Sequence, residues 1–184
     1  MAINTNSNVA DINKCNADDL NEIKSVVNTN ATALDNLTTQ VNDKNIMTIT
    51  LANDYTMAQS NTFYDITGFA VESSVGNKLT FNNNRIYIGS GVSKVKVCYT
   101  AKIQSVNTTR TFIYLSYNGN NVSQEGWWPG ASSQQNSVGI SPRVVDVNNG
   151  DYFNLVCYGT QNTKILGSNG LSFVITTLTI EVIE

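Results

Sequence analysis

Apolar residues near the start of the chain recur at alternating spacings of three and four positions. The stripe consists of Leu20, Ile23, Val27, Asn30, Leu34, Leu37 and Val41. Two members per heptad predict a coiled coil, because a helix packed on its own domain, which is the alternative, shows a wider apolar face. The mixture of Leu, Val and Ile at the a and d positions favours a coiled coil of three helices. Asn30 at a d position is expected to fix the register of these helices.

From Met47 onward the hydrophobic pattern changes to a period of two, which predicts β-strands. The predicted strands are residues 47–52, 62–69, 78–81, 85–88, 92–103, 110–117, 143–147, 151–158, 163–166 and 171–183. Turn signals such as Asn118-Gly119 and Asn149-Gly150 separate them. About ten short strands without intervening helices predict a mainly β fold, an antiparallel jelly-roll sandwich. The chain then divides into an N-terminal attachment segment (1–16), an α-helical coiled-coil stalk (17–45) and a jelly-roll head (46–184).

Two of the predicted strands are apolar on both faces, at residues 111–115 and 152–158. A solvent-facing antiparallel strand would alternate between apolar and polar residues, so one face of each is expected to meet another chain. The alternative is cover by a loop of the same chain. The residues that would form this trimer interface in the head are Phe112, Tyr114, Tyr152, Val156 and Tyr158.

Charge and composition narrow the choice of partners. The net charge is −3, and the first 45 residues supply it while the remainder is balanced. The chain therefore lacks the basic stripe that nucleic-acid binding requires, and a nucleic-acid partner is not expected. No run of eighteen apolar residues suggests a membrane span, and the first ten residues do not resemble a signal peptide. These features predict synthesis in a cytoplasm and no membrane partner.

Candidate catalytic and metal-binding residues are scarce. The sequence contains no histidine, and its three cysteines lack a C-x-x-C spacing, so we predict no catalytic residue, no metal and no cofactor. Residues 146–151 superficially resemble a calcium loop. The glycine comes one position early and the twelfth position is Cys157, so a turn is favoured and a loose calcium site is the alternative. A glycosidase built from distant carboxylates is a further alternative.

Residues 118–137 are predicted to form a polar loop that contains both tryptophans of the protein. A flat aromatic ring packs against the apolar face of a sugar, and amides and carboxylates bind its hydroxyl groups. We therefore predict a glycan-binding site made of Trp127, Trp128, Glu125, Asn118, Asn120 and Asn121. The alternative is that one or both tryptophans close the open end of the jelly roll or a seam between subunits.

Several short segments resemble the ten-stranded jelly roll of the complement globular heads and the tumour necrosis factor superfamily. They are Asp65-Ile66-Thr67-Gly68-Phe69, Arg85-Ile86-Tyr87-Ile88 with the following strand, Val147-Asn148-Asn149-Gly150-Asp151-Tyr152-Phe153 and Gly170-Leu171-Ser172-Phe173. The resemblance covers residues 46–184. It implies a homotrimer in which the turn at Gly150-Asp151 opens a strand near the trimer axis.

A stalk and head of this kind, rich in asparagine and without a signal peptide, resemble the fibre or receptor-binding protein of a tailed bacteriophage. The resemblance implies a virion protein, made in the host cytoplasm, that is attached through residues 1–16 and binds a host surface glycan or protein receptor. A capsid-decorating or head fibre without specific receptor binding is the main alternative. A bacterial surface-coat protein is another. Because one fold serves many functions, the resemblance alone does not decide among them.

Overall fold

The computed structural model describes residues 17–42, 44–106, 110–127, 134–169 and 175–184. The chain divides into two compact units, Met1–Asp43 and Lys44–Glu184. The described part of the first unit is one helix, and that of the second consists of strands and their connections. The predicted attachment segment, residues 1–16, lies outside the described residues.

Helix α1 spans Ala17–Asn42, which makes it about 39 Å long. Asp18 and Asp19 in its first turn place negative charge at the positive end of the helix dipole. The apolar members of the heptad stripe whose side chains are described are 48% to 63% exposed in the single chain. These are Leu20, Ile23, Val27, Leu34 and Leu37. Asn30 is exposed as well, and the side chain of Val41 is outside the described part.

The described residues of the second unit form thirteen strands. They are β1 (Ile46–Leu51), β2 (Tyr55–Thr56), β3 (Phe63–Asp65), β4 (Phe69–Val75), β5 (Leu79–Asn82), β6 (Arg85–Ile88), β7 (Lys94–Gln104), β8 (Thr111–Tyr117), β9 (Asn120–Trp127), β10 (Gln135–Asp146), β11 (Tyr152–Tyr158), β12 (Lys164–Ile165) and β13 (Thr177–Val182). All described pairings between them are antiparallel. The prediction of a mainly β, antiparallel fold is thus confirmed for this unit.

The strands form two sheets. In the first sheet β10 pairs along one side of β7, and β12 and β13 follow one another along its other side. Next to β12 lies β2, and next to β13 lie β1 and then β4. The second has the order β5-β6-β11-β8-β9, and β3 also pairs with β11. The first strand and the last are neighbours in the first sheet, where Ile49 lies opposite Leu178. This arrangement is a sandwich of a seven-stranded and a six-stranded sheet.

The core lies between the two sheets and is built by strict alternation. Every second residue of β7 is buried, from Val95 to Ile103, and these side chains belong to one cluster with Ile113, Leu115 and Phe153 of the other sheet. Tyr99 is the largest of the fully buried side chains. Its hydroxyl donates a hydrogen bond of 2.9 Å to the backbone oxygen of Ile113, which joins the two sheets through the core.

The outer face of the seven-stranded sheet is polar. The hydroxyls of Thr48 and Thr179 lie 3.0 Å apart, and Lys96 forms an ion pair with Glu181. Alternation therefore describes most of this sheet, with apolar side chains facing inward and polar ones outward, although Val144, opposite Lys96, is 60% exposed.

The predicted strands differ from the described ones in several places, and the short β2 was not predicted. Residues 62–69 form two strands rather than one, because the chain turns at Gly68 (φ +93°), whose N–H donates to Asn84 Oδ1 at 2.8 Å. The predicted loop at 118–137 is wrong across β9 and the start of β10, which are exposed and therefore lack hydrophobic alternation. Within the predicted strand at 171–183 the structure describes β13, and residues 171–174 of that prediction lie outside the described residues.

Asparagine shapes many of the turns. All six described residues other than glycine with positive φ are asparagines, namely Asn61, Asn83, Asn84, Asn118, Asn162 and Asn169. The short amide side chain tolerates this left-handed conformation and can bind the backbone nearby. Part of the asparagine content is therefore a requirement of the backbone.

Tyr99→Phe should lower the free energy of unfolding by about 1 kcal/mol, because it removes one buried hydrogen bond without opening a large cavity. Urea denaturation measures the change. As the matched control, Tyr64→Phe removes a hydroxyl from a half-buried tyrosine at the edge of the core and should cost less than about 0.5 kcal/mol. Equal effects of the two substitutions would show that the bond between the sheets contributes nothing.

Candidate functional site

The outer face of the six-stranded sheet differs from that of its partner because it carries aromatic side chains. In the pairing of β8 with β11, Phe112 lies opposite Tyr158 and Tyr114 opposite Val156. Tyr152 projects from the same face, where its ring lies 5.5 Å from that of Tyr87. The structure thus places all five residues of the predicted head interface on one outer face. Val156 is buried there and the four aromatic residues are half-buried.

One end of this face is an aromatic cluster of Phe63, Phe112, Tyr114 and Tyr158. The Phe63 ring lies 4.8 Å from that of Tyr158 and 5.3 Å from that of Tyr114. The guanidinium of Arg110 stacks on Phe112 at 4.6 Å. Phe63 is 53% exposed although it belongs to the cluster, and burial raises the pKa of Tyr114. Partly exposed aromatic groups of this kind are common at sites where proteins interact.

The middle of the face holds a polar pocket of about 300 Å³. Its lining residues come from strands β3, β6, β8, β9 and β11 and from the β8–β9 turn, and they are Phe63, Asp65, Arg85, Ser116, Gly119, Asn121, Asn154 and Val156. The volume is at the lower end of the range for small-molecule sites. The pocket is therefore large enough for one compact ligand.

The pocket forms where β11 changes its partner. On one side β11 pairs with β6 at Tyr152 and Phe153, and then with β3 from Val156 onward. Asn154 lies between these two pairings. The gap brings the first residue of β6, Arg85, beside the last residue of β3, Asp65.

The polar groups of the pocket bind one another in a chain. Asp65 Oδ2 accepts a hydrogen bond of 3.2 Å from Arg85, and Asp65 Oδ1 accepts one of 3.0 Å from the amide of Asn154. Arg85 also stacks on the Tyr152 ring at 4.5 Å. Asn154 is only 2% exposed, and its Oδ1 has no hydrogen-bond partner among the described residues. The Asp65 and Arg85 side chains remain 50% and 31% exposed, so both can still bind a ligand.

The charge state of this chain follows from its contacts. A hydrogen bond with Tyr87, followed by one with Asp65, raises the pKa of Arg85, which keeps the guanidinium charged. Among the described lining residues Asp65 is the one carboxylate, so the pocket does not hold the carboxylate pair that a glycosidase uses. The pocket therefore presents both hydrogen-bond donors and acceptors, and the positive charge of Arg85 is balanced by the negative charge of Asp65.

The residues of the predicted glycan site are placed apart. Asn121 lines the polar pocket, opposite Ser116, whereas Glu125 lies opposite the buried Ile113 and is thus on the core side of β9. Residues four positions apart in a regular strand share a face, but the pairing of β8 with β9 shifts register between Leu115 and Ser116, and this bulge separates the two side chains. Asn120 is exposed at the start of β9. Trp127 ends β9 opposite Thr111, but its side chain, and the whole of Trp128, lie outside the described residues.

Asn118 has a structural role. Its Nδ2 donates to Asp151 Oδ1 at 2.7 Å, and its Oδ1 accepts from the N–H of Tyr152 at 2.9 Å. Asp151 also accepts hydrogen bonds from Tyr117 and from the N–H of Asn148. These bonds tie the β8–β9 turn to the β10–β11 turn. They also occupy the carboxylate that the calcium-loop alternative would need. In the described ranges no group of three or more His, Cys, Asp or Glu side chains is found that could hold a metal ion.

Sequence reasoning missed Asp65, Arg85 and Asn154 as candidate site residues. The one available signal was Asn154, an amide in the otherwise apolar run Tyr152–Tyr158. A polar residue in a buried strand needs a partner, and that need points toward a polar neighbour on the same face. Asp65 and Arg85 could not be assigned as that neighbour without the pairing of β3 and β6.

Comparison with known proteins identifies the fold of the strand-rich unit. No family model matches the sequence, and no curated protein matches it. Among solved structures, murine APRIL at pH 8.5 aligns with a TM-score of 0.53 at 13% identity over 77% of this chain and 100% of the other. Eiger TNF from S. frugiperda aligns with a TM-score of 0.50 at 6% identity over 77% and 92%. At these identities the likeness shows a fold, the jelly roll of the tumour necrosis factor type. Among the described helices, none is long and apolar enough to span a membrane.

Asp151→Asn should lower the melting temperature at pH 7 by about 2–4 °C and weaken the acid dependence of stability. Burial acts to raise the pKa of Asp151, but hydrogen bonds from Tyr117, Asn118 and Asn148 outweigh it and lower that pKa. A lowered folded-state pKa adds stability above the unfolded pKa, which is lost as the pH falls through the folded pKa. Melting curves at pH 7 and pH 3 measure both effects. An unchanged acid dependence in the variant would contradict the assignment.

Proposed function

We propose that the protein is a homotrimeric bacteriophage fibre protein whose jelly-roll head binds a receptor on the host surface, with a glycan as the receptor. The observation that carries the proposal is a 26-residue helix with an exposed heptad stripe, followed in the same chain by a head of the tumour necrosis factor type. The proposed fibre would be made in the host cytoplasm and become part of the virion. Residues 1–16 would attach the fibre to the virion.

The stalk supports the trimer through its energetics. A single helix of this length is marginal in water, and leaving Leu20, Ile23, Val27, Leu34 and Leu37 exposed forfeits the free energy of burying them. Association buries the whole stripe at once. The residues at the a and d positions favour three strands over two.

The aromatic cluster supports a second contact between subunits, in the head. Phe63, Phe112, Tyr114 and Tyr158 form a continuous group of rings on an otherwise hydrogen-bonded surface. Aromatic residues are enriched in the centres of protein interfaces. Of the predicted interface residues, Tyr152 belongs instead to the polar part of the face, because it lies beneath Arg85.

The head is proposed to bind without cleaving its receptor. The sequence lacks histidine, and the described pocket has a single carboxylate among its lining residues. Retaining and inverting glycosidases both use two carboxylates across the scissile bond. Host attachment by a fibre needs affinity alone, and three weak sites on one trimer supply it through avidity.

Light scattering should give a mass near three times 20.1 kDa for the full chain. Leu34→Lys should reduce the oligomer fraction, because a charge at an a position is desolvated in the stalk core. Thr32→Lys, at an f position outside the stripe, is the matched control and should remain trimeric. A monomeric wild type would contradict both subunit contacts, and a dimer would contradict the three-stranded stalk.

Single alanine substitutions at Trp127 and Trp128 test the predicted glycan loop. Neighbouring residues of an extended segment face opposite ways, so we expect one tryptophan to be an anchor and the other to be displayed. Replacing the anchor should lower stability by about 3–5 kcal/mol, whereas replacing the displayed residue should weaken binding to host cells without changing the melting temperature. Melting curves and cell-binding titrations decide this. Normal folding and normal binding in both variants would remove the loop from the receptor site.

A further inference from the structure

The polar pocket on the six-stranded sheet presents hydrogen-bond donors and acceptors side by side. Asp65 supplies a carboxylate acceptor and Arg85 a charged donor 3.2 Å away. Asn121 adds an exposed amide, which can act as either. A ligand that matches this set must carry neighbouring groups that both donate and accept. Adjacent hydroxyl groups on a sugar ring have this property.

The wall of the pocket supplies an apolar surface as well. Phe63 lines the pocket and is 53% exposed, and Val156 lies beside it. A pyranose ring has an apolar face of C–H groups and a rim of hydroxyls, so it can pack on a flat ring while its hydroxyls bind polar side chains. Amide, carboxylate and aromatic groups meet here in one cavity, the combination expected of a sugar site.

Asn154 leaves an unsatisfied hydrogen-bond acceptor beneath the pocket. Its side chain is buried in the floor of the pocket, and its Nδ2 donates to Asp65. Its Oδ1 accepts no hydrogen bond from the described residues. A buried acceptor without a donor costs free energy, and such atoms are rare in folded proteins. This oxygen is itself shielded from solvent, so a ligand hydroxyl would reach it only after the Asn154 side chain turns toward the pocket.

The charges of the pocket select against ionised sugars. The carboxylate of Asp65 balances the guanidinium of Arg85, so an acidic sugar bound to Arg85 would place its own carboxylate beside Asp65. An amino sugar bound to Asp65 would place its ammonium group beside the positively charged Arg85. A neutral ring avoids both repulsions.

We infer that the polar pocket binds a neutral hexopyranose, with adjacent hydroxyls bridging Asp65 and Arg85 and one face of the ring against Phe63. The inference rests on the proposed function, since it names a sugar site for the receptor-binding head. The pocket differs from the predicted glycan site, of whose residues only Asn121 is among the described lining residues of the pocket.

Saturation-transfer difference NMR on the full-length protein tests the inference with glucose, galactose, mannose and galacturonic acid. We expect saturable binding of at least one neutral hexose and weaker binding of galacturonic acid. Asp65→Asn should reduce the affinity at least about tenfold, because hydrogen bonds to a charged acceptor are lost. Asp146→Asn, the same change at an exposed position of β10 in the other sheet, is the matched control and should bind like the wild type.

Folding of the Asp65 variant can be separated from binding. The ion pair with Arg85 is exposed, and such pairs contribute little to stability, so Asp65→Asn should melt within a few degrees of the wild type. Should it melt early, Asn121→Ala provides a second variant, since this amide is exposed on β9. Its affinity should fall about threefold or more with an unchanged melting temperature.

The outcomes distinguish the pocket from the proposed function. If no neutral hexose binds, if galacturonic acid binds best, or if Asp65→Asn binds normally, the pocket inference is overturned. Adsorption of the same proteins to host cells is measured in parallel. Adsorption that survives in Asp65→Asn would leave the attachment function standing with its receptor site elsewhere. Hexose binding that requires Asp65, together with no adsorption of the wild type to cells, would support the pocket and overturn the attachment function.

Discussion

The packing of alternate side chains of β7 against those of β8 and β11 is the constraint on which the rest of the head depends. Val97 and Tyr99 are buried on one side of the core, and Leu115 and Phe153 on the other. Because side chains alternate between faces with a period of two, a slip of one residue would exchange the core set for the outer set. The Tyr99 hydrogen bond to the other sheet adds a directional contact to this apolar packing.

That register determines what the outer face can present. Because Phe153 and Leu155 face the core, Asn154 must face outward, and it lies opposite Ser116 on the neighbouring strand β8. The exchange of partners along β11 then leaves an opening beside Asn154, since β6 ends its pairing before β3 begins. A concave polar site therefore arises from a break in the regularity of the sheet. The chain needs no long binding loop to build it.

Sequence patterns predicted the structure where burial is strongest. The predicted strand at 85–88 coincides with β6, and the alternation of 92–103 locates β7 to within two residues. Prediction failed at exposed strands, since β9 and much of β10 show few buried side chains and no apolar period. The helix was predicted from its heptads, because a regular 3–4 spacing of apolar residues is a strong local signal.

The candidate site was harder to predict than the fold, for a physical reason. Asp65 and Asn154 are separated by 89 positions, and each looks ordinary in its own segment. Their relation exists only after β3 and β6 have paired with β11. The glycan residues predicted from local composition show the converse: Asn121 and Glu125 are close in sequence, yet the bulge in β9 directs them to different faces.

The turn asparagines have a consequence for how this sequence can diverge. At Asn118 a left-handed φ of 50° coincides with two side-chain hydrogen bonds, so glycine would keep the conformation and lose the bonds. A β-branched residue would be strained there. Few substitutions are therefore neutral at such turns, just as few are neutral in the core. Neutral drift between related chains should accumulate at exposed strand positions, and the turns should stay recognisable after most of the surface has changed.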